Sequence, residues 1–192
     1  MRNNQMLTRR AALGVGGGLL VNAGFSDLVR AKSAELIEIH MKSDPGGGVV
    51  GFDPIGVLLQ PGQTVRWVCD DNVHTATTYS PTNDNHSLRI PTNAQPWASD
   101  FLLPQQTFEV TLTVEGIYDY FCAPHEEAGM VGRLIVGSAV GPGALPFDYY
   151  LTQGHNWKSV PPAAQKSFPA VETILTQKIV RSSLNFSKMP MK

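Results

Sequence analysis

One stretch decides how this chain folds: "IYDYFCAPHEEAGMVGRLIVG", residues 117–137. Runs of aromatic and aliphatic residues at 117–122 and 130–137 are typical of strands, and a short loop connects them. The loop places a thiol, an imidazole and a thioether within nine residues, at Cys122, His125 and Met130. These groups are soft or borderline metal ligands. The stretch therefore predicts two neighbouring strands whose connection binds a metal.

Strand patterns continue upstream of this stretch. "LIEIHM" (36–41) alternates apolar and polar residues, and "IGVLLQPGQTVRWVC" (55–69) indicates two strands separated by a Pro-Gly turn. "TFEVTLTVEG" (107–116) is the most regular alternation in the chain. Short strands with turns between them, and no strong helix pattern before residue 140, predict an all-β sandwich.

Two segments interrupt or extend this pattern. Residues 79–106 carry four prolines and no sustained period, and a loop of that length is usually functional or ordered by its own packing. After Gly137 the composition becomes linker-like, and an amphipathic helix follows. Its apolar residues are Val171, Ile174, Leu175 and Ile179. We expect a sandwich domain at 34–137 and a C-terminal extension at 138–192 with a short helix that packs on the sandwich.

The N-terminus is typical of an export signal, expected to cover residues 1–33. Arg9 and Arg10 precede eleven uncharged, mostly apolar residues, a run too short to span a bilayer. The pattern around the paired arginines is similar to a twin-arginine signal, which Ala12 and Gly14 match imperfectly. We expect a periplasmic or otherwise exported protein. A retained membrane anchor is the alternative, and the cleavage site stays open.

Composition and charge limit the classes of function that the chain can have. The chain has 192 residues, 42% of them hydrophobic and 16% charged, and a formal net charge of −1. Loss of residues 1–33 would remove five basic groups and one acidic group and leave about −5. This mildly acidic balance gives no support to nucleic-acid binding.

A fourth candidate ligand, His74, follows the strand that carries Trp67. Two imidazoles and a thiolate in a plane, with a weak axial thioether, suit both oxidation states of copper. Other chemistry is open at this stage. Cys69 and Cys122 could form a disulfide in an exported protein, and Cys122 with His125 could act as a nucleophile and its base. Neither alternative gives Met130 a role, and zinc would favour a harder fourth ligand than thioether.

Two regions of the sequence resemble those of a known protein family. "YDYFCAPHEEAGMVGRLIVG" is similar to the C-terminal motif of plastocyanins, amicyanins and halocyanins, and "FDPIGVLLQPGQTVRWVCDDNVHTAT" is similar to their first-histidine region. The resemblance covers roughly residues 35–137. It implies a Greek-key cupredoxin sandwich that binds one type 1 copper through His74, Cys122, His125 and Met130. Thr75 departs from the family, in which Asn usually follows the first histidine.

The resemblance also implies a function, that of a mobile one-electron carrier and not of an enzyme. A monomer that meets redox protein partners transiently is expected. Electrons would leave through His125 near the surface, with Ala123, Pro124 and Gly129 around it. Phe121 would be a second, lateral contact.

Rival functions use the same residues. A copper-binding module for storage, delivery or resistance needs the same ligands. A multicopper oxidase needs further histidine clusters, and this chain has five histidines without a His-x-His pair. A binuclear centre needs two cysteines in the loop, which has one. The histidines outside the ligand set are expected at the surface; they are His40, His86 and His155.

Overall fold

A computed structural model describes residues 36–187. The strands are β1 (Ile37–Ser43), β2 (Val50–Asp53), β3 (Gly56–Leu59), β4 (Gln63–Cys69), β5 (Thr77–Thr78), β6 (Thr107–Leu112), β7 (Gly116–Phe121), β8 (Val131–Val136) and β9 (Ile179–Val180). The α-helices are α1 (Tyr149–Thr152), α2 (Pro162–Ser167) and α3 (Val171–Gln177), and 3-10 helices cover Ala123–Ala128 and Pro142–Ala144. The expected export signal lies outside the described residues. Among residues 36–187 the structure contains no helix with the length and hydrophobicity of a membrane span.

The strands form two mixed sheets. One has the order β2-β1-β4-β6 and the other β5-β7-β8-β3-β9. β1 and β4 are parallel, as are β3 and β8, and the remaining pairs are antiparallel. Parallel neighbours require long crossover connections, and so strands distant in sequence meet in one core. The predicted all-β sandwich is confirmed.

The core lies between the two sheets and follows the predicted alternation. Trp67 of β4 is fully buried, and its ring meets Tyr120 of β7 edge to face at a centroid distance of 5.3 Å. Tyr120 also contacts Phe52 at 4.8 Å. Because these aromatic rings come from both sheets, they fix how the sheets pack.

The 79–106 segment is ordered by its own packing. Trp97 is buried against Trp67 and Tyr118, at centroid distances of 5.6 and 5.8 Å. The Trp97 backbone is held by Thr78, whose hydroxyl accepts from the Trp97 amide and donates to its carbonyl. One of the two predicted explanations for this loop, packing of its own, therefore applies.

The C-terminal segment packs on the second sheet. Helix α3 lies so close to β3 that a Cβ added at Gly56 would come within 2.8 Å of Ile174. The predicted helix is correct for Val171–Gln177, but its extension to Ile179 is wrong. Lys178 has a φ of +68° and ends the helix, and Ile179 pairs with Val57 at the sheet edge. Unpaired edge groups of β3 gain hydrogen bonds this way.

A buried ion cluster also ties this segment to the sandwich. Asp119 of β7 is fully buried and accepts hydrogen bonds from Arg89 at 2.7 Å and from Arg133 at 2.7 and 3.0 Å. The arginines reach onward to backbone carbonyls of the C-terminal segment, those of Gly143, Leu145 and Pro169. The cluster therefore connects two points of the C-terminal segment, residues 143–145 and Pro169, to β7 and β8.

Candidate metal centre

The loop that connects β7 and β8 is closed by its own backbone. The amide of Cys122 donates to the Met130 carbonyl at 3.0 Å, and the Met130 amide donates to the His125 carbonyl at 3.1 Å. The His125 amide in turn donates to the Cys122 carbonyl at 2.9 Å. Three predicted ligands are thus linked by three hydrogen bonds within one tight turn.

The His74 side chain approaches this loop from the segment that follows β4, a strand of the other sheet. It follows β4, and its backbone exchanges hydrogen bonds with Leu102 at 3.1 and 2.8 Å. The side chain is fully buried. Its Nε2 lies 2.9 Å from Ser43 Oγ at the end of β1, and its Nδ1 faces Cys122.

The donor atoms of three residues converge. Cys122 Sγ lies 3.5 Å from His74 Nδ1 and 3.4 Å from His125 Nδ1, and all three donors lie within 4.8 Å of one another. Metal bonds of about 2.0 Å to nitrogen and about 2.3 Å to sulfur, at trigonal angles, would place sulfur and nitrogen roughly 3.7 Å apart. The residues present therefore fit a metal ion with two imidazoles and one thiolate.

The fourth candidate, Met130, lies beside this cluster in the chain and is fully buried. Its backbone is joined to both Cys122 and His125, as described above.

Cys69 and Cys122 are both free, buried thiols. The alternative of a Cys69–Cys122 disulfide is therefore wrong, and Cys122 is available to a metal.

Thr75 supports the sulfur. Its amide donates to Cys122 Sγ at 3.3 Å, and its hydroxyl accepts from the Ala123 amide at 2.8 Å. The Thr77 hydroxyl donates to that of Thr75 at 3.1 Å. Thr75 thus connects the His74 segment to the ligand loop, although Asn is usual at this position in the resembled family.

Burial sets the protonation of the candidate ligands. Desolvation raises the pKa of the Cys122 thiol to about 12. Desolvation, and then the neighbouring His125, lowers the pKa of His74 to about 4, and desolvation also lowers the pKa of His125. Both imidazoles are therefore neutral near pH 7. A bound cation would replace the thiol proton, since metals bind the thiolate.

The aromatic residue beside the ligand cysteine is covered. Phe121 is 2% exposed, and its ring packs against Tyr79 and His86 at centroid distances of 4.5 Å each. Val160 and Ala164 of the C-terminal segment belong to the same buried cluster. The predicted lateral contact at Phe121 is therefore wrong, because residues of the 79–106 segment and of the extension together cover that face.

His86 was expected at the surface and is instead buried. Its Nδ1 bonds the Asn83 carbonyl at 2.7 Å, and its Nε2 bonds Glu126 in the ligand loop at 3.0 Å. The pair Asn83 and His86 sits in a loop without periodicity, and so the sequence offers no pattern that predicts this contact. His40 and His155 retain partly or fully exposed positions, as expected.

The surroundings of His125 match the expectation in part. The ring is partly exposed, and Ala123 and Pro124 beside it are exposed. Gly129 is buried, because a Cβ there would come within 2.5 Å of Ser167 Oγ and 3.2 Å of the Ala163 carbonyl in α2. Gly129 therefore packs under the extension and is not part of the exposed surface.

Comparison with known proteins agrees with this centre. Residues 38–137 match the family of copper binding proteins, plastocyanin/azurin family. This match covers more than half of the chain, and the chain belongs to that family: it is a cupredoxin with type 1 copper as its cofactor.

Individual relatives show the same class. The chain is 28% identical over 137 residues to a chloroplastic plastocyanin of Oryza sativa, covering 70% of this chain and 85% of that one. It is 28% identical over 107 residues to a pseudoazurin of Methylorubrum extorquens, covering 55% and 64%. The crystal structure of pseudoazurin from Methylobacterium extorquens AM1 shares the fold, with a TM-score of 0.50 at 24% identity and coverage of 74% and 98%.

Proposed function

We propose that this protein is a one-electron carrier whose copper is bound by His74, Cys122, His125 and Met130. One observation carries the proposal: the buried Cys122 sulfur lies 3.4–3.5 Å from an Nδ1 atom of each of two histidines. Two imidazoles and a thiolate with a weak thioether form the ligand set of copper electron-transfer sites. The plastocyanin and pseudoazurin relatives support this function.

The protein's part is to hold the ligands where both oxidation states of copper accept them. Bound copper supplies the redox couple. Backbone hydrogen bonds hold Cys122, His125 and Met130 in one turn, and the pairing with Leu102 holds His74. Because the protein's own hydrogen bonds hold these residues, electron transfer would require little movement of the protein. Burial of Cys122 also excludes water from the sulfur.

Partners would approach the face that bears His125. Ala123 and Pro124 are exposed there, and Phe101, which lines the same groove as Ala123, is 65% exposed. Leu103 in the same loop is also largely exposed. Exposed apolar groups of this kind suit small, transient interfaces with redox proteins. We propose a monomer that docks through this face.

We further propose export to the periplasm or an equivalent compartment. The support is the N-terminal pattern of paired arginines and a short apolar run within residues 1–33. The domain division at residues 34–137 and 138–192 likewise stays a prediction.

The visible spectrum of the copper-loaded protein tests the ligand assignment. An intense thiolate-to-copper absorption band near the red end of the spectrum is expected. The Cys122→Ser variant should lose the band, and the matched variant Cys69→Ser should keep it. A band that disappears with Cys69 and survives the loss of Cys122 would contradict the assignment.

Electron self-exchange separates a carrier from a copper storage or delivery module. Donor atoms held by backbone hydrogen bonds, with Cys122 and His74 buried, favour retention of copper over release. We therefore expect rapid self-exchange and slow loss of copper to a chelator. Slow self-exchange with ready copper release would point to delivery and refute the carrier function.

A further inference from the structure

The two ring nitrogens of His74 face different neighbours. Nδ1 faces Cys122 Sγ at 3.5 Å, and Nε2 lies 2.9 Å from Ser43 Oγ. Both His74 and Ser43 are buried, at 0% and 5% exposure. Water therefore does not replace either contact.

We propose that Ser43 is a positioning residue for the copper site: its hydroxyl accepts the Nε2 proton of His74 and thereby presents Nδ1 to the metal. This inference rests on the proposed function. It adds a residue 31 positions upstream of the ligand, in a strand that supplies no ligand of its own.

The chemistry of imidazole requires this direction of donation. A neutral ring carries one N–H, and the nitrogen that binds a metal must be the one without the proton. With Nδ1 directed at the metal, the proton belongs to Nε2, and Ser43 Oγ is then the acceptor. An outer hydrogen bond of this kind fixes both the tautomer and the ring orientation of a metal-binding histidine.

Backbone contacts alone do not achieve this. The hydrogen bonds between His74 and Leu102 fix the main chain, but they do not by themselves determine which ring nitrogen carries the proton. The position of Ser43 is itself secure, because it ends β1 and pairs with Val50 of β2. The first sheet thus orients a ligand that works with the loop of the second sheet.

Loss of the serine hydroxyl would leave the buried Nε2–H without this hydrogen-bond partner. Loss of such outer partners generally reduces metal affinity by about 10–100-fold, and we expect the lower end of that range for Ser43→Ala.

The test measures Cu(I) affinity by competition with a chromophoric chelator, for the full chain and three variants. Ser43→Ala should bind Cu(I) about tenfold more weakly, and Ser43→Thr, which keeps a hydroxyl, should recover most of the loss. The matched control is Ser87→Ala, because Ser87 is equally buried and its hydroxyl donates to the Lys158 carbonyl at 2.9 Å. Ser87→Ala should leave Cu(I) affinity unchanged.

A second measurement reports on the ring directly. Nitrogen-15 NMR of the diamagnetic Cu(I) form should show a proton on His74 Nε2 that exchanges slowly with water, and faster exchange in Ser43→Ala. A Ser43→Ala affinity within twofold of wild type, or an Nε2 without a proton, would overturn the role of Ser43 alone. A wild-type protein without the thiolate-to-copper band would overturn the proposed function, and the role of Ser43 with it.

Discussion

Replacing Asp119 by alanine should destabilise the fold far more than any surface change. Asp119 is fully buried between two arginines and accepts three hydrogen bonds from them. Arg89 and Arg133 also lie over the rings of Phe147 and Phe168 in the C-terminal segment. Without the carboxylate, two like charges would remain in the interior with no anion between them.

The magnitude follows from this burial. Removal of one partner from a buried ion pair costs about 3–5 kcal/mol, because an uncompensated charge is left behind. For a domain of about 150 residues, each kcal/mol lowers the unfolding midpoint by about 2–4 °C. Asp119→Ala should therefore lower the midpoint by roughly 6–20 °C, and Asp119→Asn, which keeps hydrogen-bonding atoms, by less.

The chain offers a matched control at its surface. Arg66 also lies between two opposite charges, Glu38 and Glu109, at 3.1 and 2.6 Å. These side chains are 34–47% exposed, and water screens such pairs. Arg66→Ala should barely move the midpoint.

Thermal unfolding followed by circular dichroism measures both variants. Limited proteolysis should also cut Asp119→Ala earlier within residues 138–187, because the arginines no longer hold that segment. Equal midpoints for Asp119→Ala and Arg66→Ala would refute the argument from burial. The thiolate-to-copper band should survive in both variants, since Asp119 faces away from the ligands.

Two further predictions concern the packing around the ligand loop. Burial lowers the pKa of His86, but its bonds to Glu126 and to a backbone carbonyl outweigh burial and raise the pKa above 6.5. Its stabilising contribution is thus complete below about pH 6.5 and is lost as pH rises through the folded-state pKa. Chemical denaturation across pH should show this loss, His86→Gln should lack it, and an equal slope in that variant would contradict the assignment. Separately, Gly129→Ala should destabilise the protein more than Gly62→Ala, as measured by thermal unfolding. Both glycines have positive φ, +84° and +91°, but only at Gly129 would a Cβ meet Ser167 within 2.5 Å, while Gly62 has open space. Equal losses would mean that α2 does not press on the loop.

The sandwich, and the single turn that contains Cys122, His125 and Met130, could be predicted from the sequence for a local reason. The alternation of apolar residues fixed which faces of the strands are buried, and the spacing of Cys122, His125 and Met130 placed them in one turn between adjacent strands. His74 is a candidate because it follows the strand that carries Trp67, and the structure places its Nδ1 3.5 Å from Cys122 Sγ. Free thiols at Cys69 and Cys122 agree with that interpretation.

The failures share a different cause. His86 and Phe121 were expected to be exposed, and both are buried by segments far away in sequence. The periodicity of apolar residues within one segment does not predict contacts with distant segments. Ile179 fits a helical spacing, but in the structure it forms a short strand that pairs with Val57 at the edge of β3. The pairing of Asp119 with Arg133 was predictable in principle, because the two residues lie opposite each other in register across β7 and β8.

The covered Phe121 ring has a kinetic meaning for an electron carrier. With that ring covered, the proposed docking face around His125 would serve both the protein that delivers an electron and the protein that removes it, one after the other. A complex of all three proteins would not form. Turnover could then proceed no faster than the first partner dissociates, and an excess of either partner would inhibit the other.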